Sequence, residues 1–365
     1  MIIAYLKDMK PDIKYLPIPC DSIGHRRKSM KKYLLPRNGK FYKANMHTHT
    51  TVSDGKLTPE EAKEVFKSLG YSIVAFTDHE VVVPHPELRD DDFLPITSYE
   101  LSVSSKWHTF VKCYHLNVYM PDPDRDVTGT FCLPRVKEQW RHQVNDGMME
   151  KCVEARPYSK EVAQNMIDIA NSEGCLVSYN HPVWSNQNYL DYTGLKGIWG
   201  VEWYNHESAR GGYYDTVQPL NDLLNEGERV FPLATDDCHS RASYGGGWIS
   251  VKAKSLDYDT VFGALRKGDF YSSNGPAVKS LYIEDNKVTV KTSAARQIIL
   301  YTGQRIKRAV HGTDKLITSA TFDLTPVFDS VANAPEGRDV WWRIEVIDKA
   351  GRKAITRAYF LDELK

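Results

Sequence analysis

Two histidines one residue apart, His47 and His49, precede an aspartate before glycine, Asp54-Gly55, in the stretch "MHTHTTVSDG". Imidazole is the commonest metal ligand among side chains. Residues i and i+2 of a strand share a face, so the pair can present two ring nitrogens to one ion. The same spacing also reads as a polar stripe on an exposed strand, and this stretch alone does not choose between the two.

Other residues with the same chemistry recur downstream. They are His79 in "TDH", Glu100 in "TSYE", His115 in "YHLNVY", His181 in "NHP", and Asp237 and His239 in "DDCH". With the opening motif they make six of the chain's twelve histidines and three carboxylates, each preceded by an apolar or β-prone run. Neighbouring side chains can satisfy one or two core histidines, but packing six imidazoles and three charges together without a metal is costly.

The elements that must position them are legible in the intervening sequence. In "LTPEEAKEVFKSLG", Thr58 reads as an N-cap, Pro59 as the first helical residue, Glu61 as the partner in a capping box and Gly70 as the stop. Ala62, Val65, Phe66 and Leu69 fall on one helical face, and "YSIVAFTDH" follows as a buried strand. "KEVAQNMIDIANSEG", closed by Gly174, is a second amphipathic helix leading into the strand "CLVSY". "GIWGVEWYN" and "RVFPLAT" read as further strands, with a helix end in "LNDLLNEG" between them. Polar residues placed just beyond strand ends suit an α/β protein, whose sites form where the carboxyl ends of parallel strands meet.

From about residue 278 the alternation stops. "SLYIEDNKVTVKT", "RQIILYTG", "KLITSATFDLTP" and "VWWRIEVIDKAGRKAITRAYFL" are short β-prone stretches split by turns, with "DKAG" as a hairpin turn. The expected organisation is a basic arm over 1–40, an α/β domain over 41–277 with a polar insertion over 121–160, and a small β-sandwich over 278–365. An insertion of that length often serves as a lid or binding loop. Phe270 to Ser273 is expected as the last strand before the β-domain, so a cut after Pro276 is expected to leave a fragment that still holds metal.

The ordered set of motifs resembles the PHP family (polymerase and histidinol phosphatase domain) of metal-dependent phosphoesterases. The matching pattern is H-x-H, then Asp54, His79, Glu100, His115, His181 and the terminal D-x-H of Asp237 and His239. "GDFYSSNGP" and "WWRIEVIDKAGRKA" resemble the subgroup with an additional β-domain, and the likeness covers roughly residues 41–365. The resemblance implies a distorted (β/α)7 barrel with two or three divalent transition metals at its mouth. His47, His49, Glu100 and His181 would be ligands of adjoining metals with Glu100 the bridge, and Asp54, His79, His115, Asp237 and His239 would complete the cluster. Asp237 is chosen over Asp236 because it alone gives the D-x-H spacing; Asp236 and Asp78 would stand behind the ligands.

The implied function is hydrolysis of a phosphomonoester or phosphodiester by metal-activated water, with Glu100, Asp237 and His239 in the catalytic centre. Mixed imidazole and carboxylate ligation suits zinc, manganese or iron better than magnesium or calcium. The partner would be a small anionic substrate, since three divalent ions against three carboxylates leave positive charge over. Two other readings stand beside this one: a hydrolase of a non-phosphate ester, carbamate or amide on the same cluster, and a non-catalytic metal-binding scaffold. Arg241, two residues past His239, is equally a phosphate clamp through its forked donors or a solvent-facing loop residue. "YGGGW" over 244–248 can bring backbone amides to an anion, although a flexible turn is the simpler reading. Trp184, Tyr204 and His206 follow strands and are read as packing residues that can also line the pocket. His25, His85, His108, His142 and His311 receive no role.

Composition sets limits on these readings. At 365 residues, 41% hydrophobic and 26% charged, the chain has the make-up of an ordinary soluble protein. It has no apolar run near the ~20 residues that span a bilayer. "MIIAYLKDMKPDIKYL" breaks its apolar start with Lys7, Asp8 and Lys10, so no signal peptide is read and a cytoplasmic location is expected. Six scattered cysteines without C-x-x-C spacing argue against zinc-thiolate and disulfide frameworks. Net charge is zero, yet residues 1–43 carry eleven Lys and Arg against three Asp and Glu, a bias open to an anionic partner. No motif there points to nucleic acid, and a solvated arm is the simpler reading.

Overall fold

The computed structural model describes residues 31–104, 112–152, 156–214, 216–305, 307–330 and 340–364. Residues 1–30 of the expected basic arm lie outside these, as do Cys20, His25 and His108. The first ten strands are β1 (Lys32–Tyr33), β2 (Lys40–Asn45), β3 (Tyr71–Phe76), β4 (Leu94–Ser104), β5 (Cys113–Tyr119), β6 (Leu176–Tyr179), β7 (Gly200–Asn205), β8 (Phe231–Thr235), β9 (Trp248–Ala253) and β10 (Phe270–Ser273). The rest are β11 (Val278–Glu284), β12 (Lys287–Ala295), β13 (Gln297–Thr302), β14 (Arg308–His311), β15 (Ile317–Asp323), β16 (Trp341–Ile347), β17 (Lys353–Thr356) and β18 (Tyr359–Phe360). A large mixed sheet runs β14-β13-β16-β17-β10-β9-β2-β3-β4-β5-β6-β7-β8, with β18 beside β16, and a second sheet runs β1-β11-β12-β15.

Local sequence explains much of this. The helix Pro59–Ser68 starts at Thr58, whose hydroxyl accepts the Glu61 N–H while the Glu61 carboxylate accepts the Thr58 N–H. It buries Ala62 and Phe66, but Leu69 lies just past its end and is 42% exposed, so the expected apolar face stops one residue short. The helix Lys160–Ser172 is capped by Ser159 and precedes β6. The β11–β12 turn, Asp285-Asn286, has positive φ at both residues, as a tight two-residue hairpin requires.

The pairing departs from a simple repeat. β2, β3 and β4 are parallel, as are β6, β7 and β8, but β5 runs antiparallel to both β4 and β6, and β2 is antiparallel to β9. Beyond β2 and β8 the chain segments meet through an isolated parallel bridge between Thr48 and Cys238. There the His49 N–H donates to the Cys238 carbonyl (2.9 Å) and the Asp237 N–H to the His47 carbonyl (2.9 Å). Ligand-bearing segments far apart in sequence are thus bonded backbone to backbone.

After residue 278 the strands form two layers around one core. Leu281, Val288 and Val290 of the second sheet are buried with Ile298, Leu300, Trp342, Ile344 and Val346 of the large sheet. β10 pairs on one side with β9 and on the other with β17. Arg343 is fully buried, donating to Asn221 Oδ1 (2.6 Å) and Glu345 Oε1 (2.7 Å), while Trp341 Nε1 donates to Asn225 Oδ1 (3.2 Å). Trp341 and Phe360 belong to the same core as Leu220, Leu223 and Leu224. At the other end of the chain, Lys32–Tyr33 pair with β11. No helix among the described residues is long and apolar enough to cross a membrane.

Candidate metal centre

His47 and His49 follow β2, His79 follows β3, His181 follows β6, and Asp237 and His239 follow β8. Glu100 and His115 lie inside strands instead of beyond their ends: Glu100 pairs with Asn117, and His115 with Ser102. The β4–β5 hairpin continues past the level where the other strands stop, so mid-strand residues face the cluster. His181 (φ 25°) and Asp237 (φ 54°) have positive φ, as does Glu80 (φ 67°) beside His79. Non-glycine residues hold such backbone at a cost of ~1–3 kcal/mol, and only where surrounding structure enforces it.

The structure brings all nine residues together. They form four overlapping sets whose ligand atoms lie within 4.8 Å of one another: His49, Asp54, His79 and His239; His47, His49 and Glu100; His47, His181 and Asp237; and Glu100, His115 and His181. Glu100 is central. Its Oε1 is 3.3 Å from His47 Nε2, 3.3 Å from His115 Nδ1 and 3.4 Å from His181 Nε2, and its Oε2 is 3.4 Å from His49 Nε2 and 3.1 Å from His79 Nδ1. Asp237 Oδ1 lies 3.2 Å from His47 Nε2 and 3.1 Å from His49 Nε2. Asp54 and His239 are about one-third exposed and open the cluster to one side.

The electrostatics are those of a cation site. Burial opposes the charge of Glu100, yet the His115 and His47 charges hold its carboxyl well below the usual range. Asp237 is likewise depressed: burial opposes its charge, and the neighbouring His47 and His49 outweigh it. His49, which burial alone would push down, is raised to about 9 by Asp237 and Glu100. His79 is lowered to about 3 by burial and the neighbouring His49 charge. Asp237 Oδ1 and His49 Nδ1 are buried without a hydrogen-bond partner, and two ring nitrogens, His47 Nε2 and His49 Nε2, face each other at 3.2 Å. A divalent ion resolves both, and a set of imidazoles and carboxylates without thiolate fits a borderline transition metal.

Several residues hold this set in place. His47 Nδ1 lies 2.8 Å from Glu202 Oε1, so the proton sits on Nδ1 and Nε2 faces the cluster. Glu202 also accepts the Thr235 hydroxyl (2.7 Å), the His181 N–H (2.9 Å) and Asn205 Nδ2 (2.9 Å). Asn205 bonds onward to Asp237 Oδ2 (3.1 Å), and Asn180 Nδ2 donates to Glu100 Oε1 (2.9 Å). Asp78 secures the loop between His49 and Asp54, accepting the Thr50 N–H (2.7 Å), the Ser53 N–H (3.1 Å) and both hydroxyls. Sequence reading missed Glu202, Asn180 and Asn205; the available signal was a lone acid inside the apolar strand "GVEWYN". Glu202→Gln places an amide where every partner is a donor. Metal affinity is expected to fall roughly 10–100-fold while the cooperative melt is kept, and competition with a fluorescent chelator measures it; unchanged affinity would remove Glu202 from this role.

Of the remaining candidates, Asp236 stands behind Asp237. It accepts the Gly245, Gly246 and Gly247 N–H groups (2.8, 2.7 and 2.8 Å) and Asn45 Nδ2 (3.1 Å), and burial pushes its carboxyl up to about 6 against those bonds. The amides of "YGGGW" therefore serve a carboxylate of the chain itself. A Cβ at Gly246 would collide with the His206 ring, which explains glycine at that position. Arg241 is exposed on the turn Arg241–Ser243 and is not among the residues that line the cavity over the cluster. Trp184 lines that cavity; Tyr204 and His206 do not, and Tyr204 bonds His206 Nδ1 (2.8 Å). The cavity is about 330 Å³ and also takes in Glu207, Ser208 and Tyr213.

No protein-family model matches the chain, and no curated protein sequence matches it. Among solved structures it is similar to a two-domain protein from Bacteroides vulgatus containing a predicted PHP-like metal-dependent phosphoesterase, with 12% identity, 92% of this chain and 99% of that one covered, and TM-score 0.41. It is also similar to an amidohydrolase from Chromobacterium violaceum with bound sulfate and no metal (15% identity, 54% and 87% covered, TM-score 0.36). A third is a lesion-specific endonuclease from Pyrococcus furiosus (15% identity, 62% and 56% covered, TM-score 0.35).

Proposed function

We propose that this chain is a metal-dependent hydrolase of phosphomonoesters or phosphodiesters, of PHP type, with a di- or trinuclear centre in a distorted (β/α)7 barrel. The observation that carries this is the convergence of six imidazoles and three carboxylates, in four overlapping sets, at one cavity. We read these sets, His49, Asp54, His79 and His239; His47, His49 and Glu100; His47, His181 and Asp237; and Glu100, His115 and His181, as the overlapping environments of two or three ions. Divalent ions bound there supply Lewis acidity and activation of water.

The chain's own residues do the rest. Glu100 fixes the spacing between the environments, and Glu202, Asn180 and Asn205 hold His47, Glu100 and Asp237 in the orientations described above. His239 and Asp54 border the open side, where an ester enters a cavity sized for a small molecule. No serine or cysteine is needed as a nucleophile. With ions bound, the site has net positive charge and favours an anionic ester over a neutral one. A panel of nucleotides, sugar phosphates and aryl phosphodiesters, assayed with Mn, Zn and Fe beside carboxyl esters, carbamates and amides, tests the reading. Phosphoester turnover exceeding all others is expected; turnover of neutral substrates alone would overturn it.

A further inference from the structure

Resting on the hydrolase reading above, we infer that the insertion builds a second anion subsite beside the cluster, so that the substrate is a small phosphoester whose leaving group carries another negative charge. A separate cavity of about 240 Å³ has His79 and His115 on its cluster side, Trp140 and Trp184 as walls, and Arg135 and Lys137 as its cations. Three of these residues, Arg135, Lys137 and Trp140, belong to the insertion.

They are held in place by contacts within the protein. Trp140 is buried with its ring stacked on His79 (6.0 Å between centroids, 19° between planes). Lys137 Nζ lies 4.4 Å above the Trp140 ring and 3.9 Å from Asp54 Oδ2, at the open edge of the cluster. The Arg135 guanidinium donates to Ser104 Oγ (2.8 Å), to the Arg156 carbonyl (2.6 Å) and to the Ser104 carbonyl. Those bonds fix its direction and, among the described residues, take up three of its five N–H groups.

The charge balance of this cavity is the decisive feature. Among the described residues its one lining carboxylate, Glu80, is taken up by the buried Arg156 and the Ser102 N–H (3.0 Å), so it does not neutralise Arg135, and Lys137 has Asp54 beside it only at the long distance of 3.9 Å. Among the described residues the cavity directly over the cluster is lined by no Arg or Lys, and its acid Glu207 is paired with Arg210 (2.6 Å). An anion beyond the one held at the cluster is therefore favoured on the insertion side, where the lining cations lie. A phosphate or carboxylate a few bonds from the scissile phosphorus fits the adjacency of the two cavities through their shared residues His79, His115 and Trp184.

Phosphonates test this without depending on turnover. Metal-loaded full-length protein is titrated calorimetrically with propane-1,3-bisphosphonate and with propylphosphonate, and metal content is measured afterwards to exclude stripping. The bis-anion is expected to bind at least ~10-fold more tightly, and Lys137→Gln to lower its affinity roughly tenfold while changing that of the mono-anion only about twofold. Lys137→Arg should restore most of the difference. Lys137 is 56% exposed, so the variant keeps the core intact. Equal affinities in the parent, or a preference untouched by Lys137→Gln, would overturn the subsite. A protein that cleaves no ester but keeps the Lys137-dependent preference overturns the hydrolase reading and leaves the subsite standing.

Discussion

Glu100→Gln is expected to lower turnover at least ~100-fold, more than the loss of a supporting partner costs at a metal site. The Glu100 carboxylate is the one group within 3.1–3.4 Å of five imidazoles: His47, His49, His79, His115 and His181. An amide of the same shape removes the charge shared between environments and turns one oxygen into a donor aimed at ring nitrogens that must stay open for metal. The β4 backbone pairing with β3 and β5 is unaffected, so the variant should melt cooperatively. Steady-state kinetics with elemental analysis of the same sample checks this. A variant with normal metal content and parental turnover would show that Glu100 is not the bridge.

Removal of residues 278–365 is expected to abolish a soluble, cooperatively melting protein. Sequence reading leads to the opposite expectation, a functional 1–277 fragment, because helix–strand alternation ends there. The contacts across that boundary argue against a separable fragment. β10 loses β17, its neighbour in the sheet, and becomes a bare edge. Trp341 and Phe360 leave the core they share with Leu220, Leu223 and Leu224. Each large apolar side chain withdrawn uncovers its partners at ~1.5–3 kcal/mol. Several such losses approach the ~5–15 kcal/mol that holds a whole domain folded. Asn221 and Asn225 also lose Arg343 and Trp341. Circular dichroism and a thermal melt of the fragment decide the matter: a single sharp transition near that of the full chain would contradict this account.

The contrast shows what a linear sequence reveals. The helix Pro59–Ser68 is legible because its capping box lies within four residues, and the nine cluster residues are legible because imidazoles and carboxylates recur in order in or just after apolar or β-prone runs. Glu202 is hidden because one acid in a strand looks like a solvent-facing position; only the fold puts His47 and the His181 amide on either side of it. The β10–β17 pair joins residues about eighty positions apart with no local signal for the contact. The reversed direction of β5 escapes for the same reason: antiparallel and parallel strands share one alternation pattern, and with the reversal goes the mid-strand placement of Glu100 and His115. Arg241 illustrates the limit at a turn, where proximity in sequence to His239 does not fix the direction of a side chain.

Whether this cluster binds more than one metal ion is decided by metal stoichiometry. Full-length protein is reconstituted with Mn, Zn or Fe, freed of excess ion, and analysed for metal per chain alongside its far-ultraviolet circular dichroism. Nine ligands in four overlapping sets exceed what a single tetrahedral or octahedral ion can use. Two to three equivalents of at least one of these metals are expected; a folded protein holding one equivalent or less of every metal would overturn the multinuclear reading.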